Sequence, residues 1–190
     1  MSRVHENIIS RRTIYRFEET PIEMAALEVA FEAARHAPCH KHTHPWKFYV
    51  LGKEARNSLI PEIERLATLK AAGKDEIEVK EGIQRAISKI LSPPVLIAVT
   101  STVTPEDDFR EMEDYAATAC SVQNLVLSLW DQGIGSQWST GGITRSDFVY
   151  RALGISPIKE KIIGFVKAGY PAIIPQRDKK SVDEIRKYLP

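Results

Sequence analysis

The sequence predicts a protein of the α+β or α/β class, and three features indicate that class. Helical patterns outnumber strand patterns, and the short apolar runs typical of strands are scattered between the helices. Residues 104–142 combine a long helical pattern, a glycine-containing turn and a strand-like segment. The length of 190 residues suits one domain with a substantial core. We therefore predict a single domain over residues 1–190, with a polar tail from about residue 171.

Composition and net charge limit the kinds of partner and the cellular compartment expected for this protein. Hydrophobic residues make up 43% and charged residues 27% of the chain, and both values are ordinary for a globular protein. The net charge of +1 gives no electrostatic reason to expect nucleic acid as a partner. Two cysteines, Cys39 and Cys120, exclude a disulfide framework. Because the sequence also shows no signal peptide and no spanning segment, we expect a cytoplasmic protein with no membrane partner.

The long helix has recognisable ends and an unusual middle. Thr104 and Pro105 resemble an N-cap and a first helical residue, with Asp107 placed as a capping-box carboxylate. Residues 115–130 carry no charge, which predicts a helix buried on nearly every side. Gly133 is predicted to end the helix in a left-handed conformation.

Shorter patterns predict the other elements. Thr20, Pro21 and Glu23 suit the N-cap, N1 and N3 positions of a second helix, and a Thr144-x-x-Asp147 pattern indicates the cap of a later one. Helices are also predicted over residues 4–10 and, as a pair broken near residues 72–73, over residues 53–91. Strands are predicted over residues 46–51, 95–99 and 162–170, and residues 134–140 are predicted to form a strand or an extended turn.

Four of the five histidines lie in the loop formed by residues 36–45. They are His36, His40, His42 and His44. Alternating histidines suggest a metal site, but metal ligands need a second shell and usually a carboxylate or further cysteine, and this loop offers only Cys39. We therefore predict no metal and expect the imidazoles to make hydrogen bonds in a rigid loop.

Two polar stretches are candidates for ligand binding. Arg11 and Arg12 beside Thr13 would suit a phosphate. Two arginines at a helix C-terminus can equally interact with the negative end of the helix dipole. Trp138, Ser139 and Thr140 could hold the edge of a flat ring, or could simply end a strand. The sequence contains no glycine-rich dinucleotide fingerprint, no P-loop and no Ser/His/Asp grouping, so side chains would have to hold any phosphate.

In their order and spacing, these segments resemble the nitroreductase family of flavoproteins. The resemblance is carried by residues 11–13, 33–38, 45–48, 93–97, 132–135, 161–165 and 169–171. The Pro38-x-His40-Lys41 run and Trp138 are most similar to a compact bacterial subgroup of NAD(P)H nitroreductases.

The resemblance implies an α+β fold with a central mixed or antiparallel sheet surrounded by helices. It further implies a homodimer that binds FMN non-covalently in two clefts at the subunit interface. By position, Arg11, Arg12 and Thr13 would hold the phosphate and ribityl end of FMN. His36, Pro38 and His40 would lie along the flavin, with His40 reaching from the other subunit, and the remaining contacts would come from Trp138, Ser139 and Thr140. Basic residues of the tail that could add to the phosphate site are Arg177, Lys179 and Lys180.

The implied activity is that of an FMN-dependent oxidoreductase with no catalytic acid or base of its own. NAD(P)H would donate hydride and leave, and an electron-poor acceptor such as a nitroaromatic or quinone would follow it. The alternatives are a flavoprotein with a dedicated metabolite substrate, a flavin sensor or carrier without turnover, and a helical dimer without cofactor. Purified protein that is yellow would exclude the last.

Three residues depart from the family pattern. Many members have Arg or Lys where Tyr15 stands, near the pyrimidine edge of the flavin, and many have Asn and Gln at the positions of His42 and His44. Since a positive charge near that edge stabilises reduced flavin, the redox potential of this chain is expected to depend on another cation, for which Arg16 is the nearest candidate.

Overall fold

The computed structural model describes residues 2–190 and contains helices on both sides of one sheet. The helices are α1 (Arg3–Ser10), α2 (Met24–Arg35), α3 (Lys53–Asn57), α4 (Ile60–Lys70), α5 (Glu76–Leu91), α6 (Asp108–Asp131), α7 (Asp147–Ala152) and α8 (Val182–Ile185). The strands are β1 (Trp46–Val50), β2 (Val95–Thr102), β3 (Gly135–Ser139) and β4 (Glu160–Gly169). Two short 3-10 turns cover His40–His42 and Gly142–Arg145.

The four strands form one antiparallel sheet in the order β1-β2-β4-β3. Since no pair of these strands is parallel, the fold is α+β, and the α/β alternative is excluded. The three strand predictions are confirmed, with ends that differ by at most a few residues, and residues 134–140 contain a strand and not an extended turn. An isolated parallel bridge between Thr13 and Ser136 adds the N-terminal segment to the β3 edge.

Alternation along the strands separates two apolar cores. Ile97, Val99 and Val166 point to the side covered by α2 and α6. Leu96 and Phe165 point to the opposite side, where residues of α4, α5 and α7 cover them. No helix within residues 2–190 combines the length and the hydropathy needed to cross a membrane.

Helix α6 begins later than its sequence suggests. The predicted cap at Thr104 is wrong, because Thr104 O accepts a turn hydrogen bond from Asp107 N at 3.0 Å. Asp107 is the N-cap, and its Oδ1 accepts from Arg110 N at 2.9 Å. The predicted end is confirmed, since Gly133 has a φ of 76° just beyond the helix.

The prediction that α6 is buried on nearly every side is wrong for the single chain. One face, which includes Ala117, Leu125 and Leu129, packs on the sheet and α2. Away from that face, Tyr115 is 45% exposed, and Ala116 and Cys120 are exposed as well. The absence of charge therefore reflects two apolar faces, of which one lies open in the isolated subunit.

Three helix predictions are corrected by local hydrogen bonding. The second helix begins at Met24, after Glu23, rather than at Thr20. The pair predicted over residues 53–91 is three helices, α3, α4 and α5, although the break near residues 72–73 is confirmed. Thr144 caps no helix, because its Oγ1 donates to Gly141 O at 2.9 Å within a 3-10 turn and α7 begins after Ser146.

Candidate functional site

The N-terminal segment is held against the first residues of β3. Ile14 N donates to Ser136 O at 2.9 Å, and the Ile14 side chain is fully buried. A side chain at Gly135 would overlap Ile14, so only glycine permits this close approach. The contact brings Thr13 beside β3 and places the two polar stretches predicted from sequence at one edge of the sheet.

Arg11 and Arg12 have different surroundings. Arg12 Nη1 donates to the carbonyl oxygens of Ile9 at 2.8 Å, Ser10 at 3.1 Å and Arg11 at 3.0 Å, so this guanidinium caps the C-terminus of α1. Arg11 is half-buried, and within residues 2–190 its guanidinium makes no side-chain hydrogen bond or ion pair. Partial burial, and secondarily the charge of Arg12, lower the pKa of Arg11. Of the two roles that the sequence left open, Arg12 takes the structural one and Arg11 is available for a ligand.

The residues at the end of β3 are divided between the two faces of the sheet. Trp138 pairs with Val166 on the α6 side, and its indole lies against Gly164, where a side chain would overlap it. Ser139 lies on the other face, with its Oγ donating to Phe165 O at 3.2 Å. Only Ser139 and Thr140 of the predicted trio therefore border the cavity described next.

A cavity of about 640 Å³ lies between this face of the sheet and helices α4 and α5. Its apolar walls include Ile63, Leu66, Ala86, Ile143 and Phe165. Tyr15, Gln137, Ser139 and Thr140 lie along the sheet side. The cationic lining residues are Lys70, Lys74, Arg85, Lys89 and Lys167. An apolar slot with excess positive charge suits a flat ligand that carries negative charge.

Sequence reasoning missed Lys167. This residue lies inside β4 and is only 6% exposed, with its Nζ donating to Gln137 Oε1 at 3.3 Å. Burial, and secondarily the charge of Lys89, lower the pKa of Lys167 to about 8. A lysine within an otherwise apolar strand was the available signal, because lysine is almost never fully buried without a partner.

The buried charge of Lys167 is expected to cost stability, so Lys167→Met should stabilise the chain. A folded-state pKa of about 8 against an ordinary value near 10.4 corresponds to roughly 3 kcal/mol at pH 7. Because the unfolded state binds more protons between these values, wild-type stability should rise as pH increases from about 8 to about 10.5. Chemical denaturation at pH 7 and pH 10 measures both effects. A less stable Lys167→Met protein at pH 7 would contradict the expectation.

The histidine loop lies at the other end of α6. His40 Nδ1 is 3.7 Å from Glu113 Oε1, and Thr43 Oγ1 donates to Asp114 Oδ1 at 2.8 Å. His36 contacts Glu32 with 3.1 Å between Nε2 and Oε1. His36, Pro38 and His40 are all exposed.

The backbone of this loop is strained. Lys41, His42 and His44 have φ values of 51°, 53° and 45°, in a region that non-glycine residues adopt at a cost. The rings of His44 and Trp46 meet edge to face, with centroids 5.7 Å apart. Within residues 2–190, no three His, Cys, Asp or Glu side chains are grouped so that they could hold a metal ion.

Within one chain, the two predicted halves of the site lie far apart. Helix α1, which leads into Arg11, contacts the C-terminal end of α6, where Asn7 Nδ2 donates to Leu127 O at 3.0 Å. His40 lies beside Glu113, near the N-terminal end of the same helix. Fourteen residues of helix separate these contacts, or about 21 Å at 1.5 Å per residue.

The basic tail residues Arg177, Lys179 and Lys180 are exposed and make no side-chain hydrogen bond within residues 2–190.

Comparison with known proteins agrees with this architecture. The chain is 29% identical over 174 residues to YfhC of Bacillus subtilis, a protein named for an inferred NAD(P)H nitroreductase activity, and the match covers 92% of this chain and 87% of YfhC. A nitroreductase-like protein of Bacillus cereus superposes with a TM-score of 0.83 at 25% identity, over 100% of this chain and 97% of that one. Iodotyrosine deiodinase bound to FMN and 3-iodo-L-tyrosine shares the fold, with a TM-score of 0.77 at 18% identity over 98% of this chain and 99% of that one.

The family assignment follows from the extent of the match. The family model described as the nitroreductase family matches residues 8–170, which include the N-terminal segment, the histidine loop and the whole sheet. The chain belongs to the nitroreductase family.

Proposed function

We propose that this protein is an FMN-dependent oxidoreductase that uses NAD(P)H as reductant. The observation that carries the proposal is the position of the N-terminal segment: Thr13 pairs with Ser136 of β3, and Tyr15 lines the apolar-walled, cationic cavity. Arg11, two residues before Thr13, has a guanidinium without a side-chain hydrogen bond or ion pair within residues 2–190. An arginine and a hydroxyl are suitable donors for a phosphate monoester, and the cavity walls suit a flat ring. The residues present therefore fit FMN.

Each group of residues has a role in holding the cofactor. Arg11 and Thr13 would bind the phosphate and the adjoining ribityl chain, and Ser139 and Thr140 would orient the ring at the cavity rim. The apolar residues of α4 and α5 would exclude water from the ring. When bound, FMN supplies the redox chemistry, accepting hydride from NAD(P)H and passing it to an electron-poor acceptor such as a nitroaromatic or quinone.

A homodimer with FMN at the interface accounts for the separation of the two halves of the site. A span of about 21 Å along α6 separates the Arg11 end of the site from His40 in one chain, so we infer that His40 does not contact the FMN whose phosphate is held by Arg11 of the same chain. His40 of one subunit could reach the cleft of the other if two chains pack through their α6 helices. The exposed apolar face of α6, which includes Phe109, Met112 and Tyr115, supports this arrangement. Trp138 and the histidine loop would then approach the ring from outside the cavity.

The proposal predicts a yellow protein that releases FMN on acid treatment. Anaerobic titration with NADH and with NADPH should bleach the flavin absorption near 450 nm at a stoichiometry of about one nicotinamide per flavin. Steady-state oxidation of the preferred nicotinamide with an added quinone or nitroaromatic then distinguishes an enzyme from a flavin sensor or carrier. Release of FAD, or a protein that stays colourless after reconstitution with FMN, would refute the proposal.

A further inference from the structure

Lys167 has no structural partner that requires its charge. Its Nζ has three protons to donate, and the one hydrogen bond it makes goes to the neutral amide of Gln137 at 3.3 Å. No carboxylate within residues 2–190 forms an ion pair with it. Burying a charged lysine without an ion pair lowers the free energy of unfolding. Such lysines are found mainly at sites where a bound ligand or a reaction depends on the positive charge.

The charges around Lys167 point to a negatively charged occupant of the cavity. Lys89 and Arg85 of α5 and Lys70 of α4 line the same space. The one acidic lining residue, Glu78, already lies 3.6 Å from Lys74 Nζ. Arg85 is also paired, with Glu81 Oε2 3.0 Å from its Nη1. Lys70, Lys89 and Lys167 remain as lining cations without an ion pair within residues 2–190, and Lys167 is the one at the cavity floor, shielded from solvent.

The same cavity contains the residues proposed to orient the flavin ring. These are Ser139 and Thr140, and both line the cavity. Gln137, two residues before Ser139 on β3, is the register partner of Lys167 on β4. Tyr15 also lines this space, and its side chain brings no positive charge. A ring that enters between Ser139 and α5 would therefore have Lys167 as its buried cation.

We propose that Lys167 faces the electron-accepting ring of the cofactor and stabilises its reduced form relative to its oxidised form. Net addition of hydride to a neutral flavin ring leaves that ring with one negative charge, and a cation close to it in a water-poor cavity favours this state. The inference rests on the proposed function, because it presupposes that FMN occupies the cavity. Lys167 would then supply the positive charge near the ring that the uncharged side chain of Tyr15 does not provide.

The test compares the midpoint potential of bound FMN in wild-type protein, Lys167→Met, Lys167→Gln and Lys167→Arg by dye-equilibrated reduction. We expect the Met and Gln variants to lose roughly 10- to 100-fold of the preference for reduced over oxidised FMN. For a two-electron couple this corresponds to a midpoint about 30 to 60 mV more negative. Lys167→Arg should stay within about threefold of wild type. Lys80→Met is the matched control, because this exposed lysine of α5 does not line the cavity, is screened by solvent and should also change the preference less than about threefold.

Each result decides the assignment. An unchanged potential in Lys167→Met and Lys167→Gln overturns it, as does an equal change in Lys80→Met. A change confined to the KM of an anionic acceptor, with 4-nitrobenzoate affected and 4-nitrobenzamide not, also overturns it and places Lys167 at the acceptor instead. Wild-type protein that binds no FMN would refute the proposed function itself, and this outcome is distinguishable because it appears before any variant is compared.

Discussion

Replacing Arg11 with alanine is expected to weaken FMN binding roughly 10- to 150-fold while the protein remains folded. The Arg11 guanidinium has no side-chain partner within residues 2–190, so its removal leaves no group of the protein without its hydrogen bond. A charge-assisted hydrogen bond to phosphate contributes about 1.5–3 kcal/mol, which corresponds to that range. Fluorescence titration of the apoprotein with FMN measures the loss directly, because free flavin fluoresces and bound flavin is generally quenched.

Arg12→Ala is the matched control for this prediction. Its guanidinium is engaged with three carbonyl oxygens at the end of α1, so its removal should lower the free energy of unfolding by about 1 kcal/mol and reduce FMN affinity less than Arg11→Ala does. Equal losses of FMN in the two variants would show that Arg12 also holds the phosphate. Full retention of FMN in Arg11→Ala would place the phosphate elsewhere, with the exposed tail residues Lys179 and Lys180 as the next candidates.

Met112→Glu is expected to convert a yellow homodimer into a monomer that has lost most of its flavin. Met112 lies in the exposed apolar face of α6, between Phe109 and Tyr115. A carboxylate buried there without a partner costs several kcal/mol, a large fraction of the stability of an ordinary interface. Because the two proposed halves of the FMN site come from different chains, loss of the dimer should also open the site.

Light scattering coupled to gel filtration, together with the ratio of flavin to protein absorbance, measures both effects in one run. Ile77→Glu is the control, since Ile77 is comparably exposed but lies in the first turn of α5. Wild-type protein should also unfold at a midpoint that rises with protein concentration, as expected for an obligate dimer. A wild-type monomer that is yellow and active at assay concentrations would contradict the shared-cleft arrangement.

The sequence alone determined most of the fold, because the deciding signals are local. Strand positions follow from short apolar runs whose meaning does not depend on distant residues. The end of α6 follows from Gly133, because glycine adopts a left-handed conformation at little cost. The order of the segments around Arg11 and the histidine loop was enough to identify the family, which the match over residues 8–170 confirms.

Tertiary structure decided which residues of each motif are available for a ligand. Arg11 and Arg12 are adjacent and chemically identical, and only the position of the α1 carbonyls commits one of them to the helix. Trp138 and Ser139 are likewise adjacent, but the pleat of β3 sends them to opposite faces of the sheet.

The distance between the two halves of the site, and the charge at the floor of the cavity, also depend on packing. Arg11 and His40 are 29 positions apart in sequence (40 − 11), but they are separated in space because α6 spans the distance between them. The absence of charge in residues 115–130 could not show which faces of α6 meet the core and which remain open. The role proposed for Lys167 depends on its burial beside Gln137 and on its lack of an ion pair within residues 2–190. Both features are set by residues that are remote from Lys167 in sequence, so the sequence alone does not reveal them.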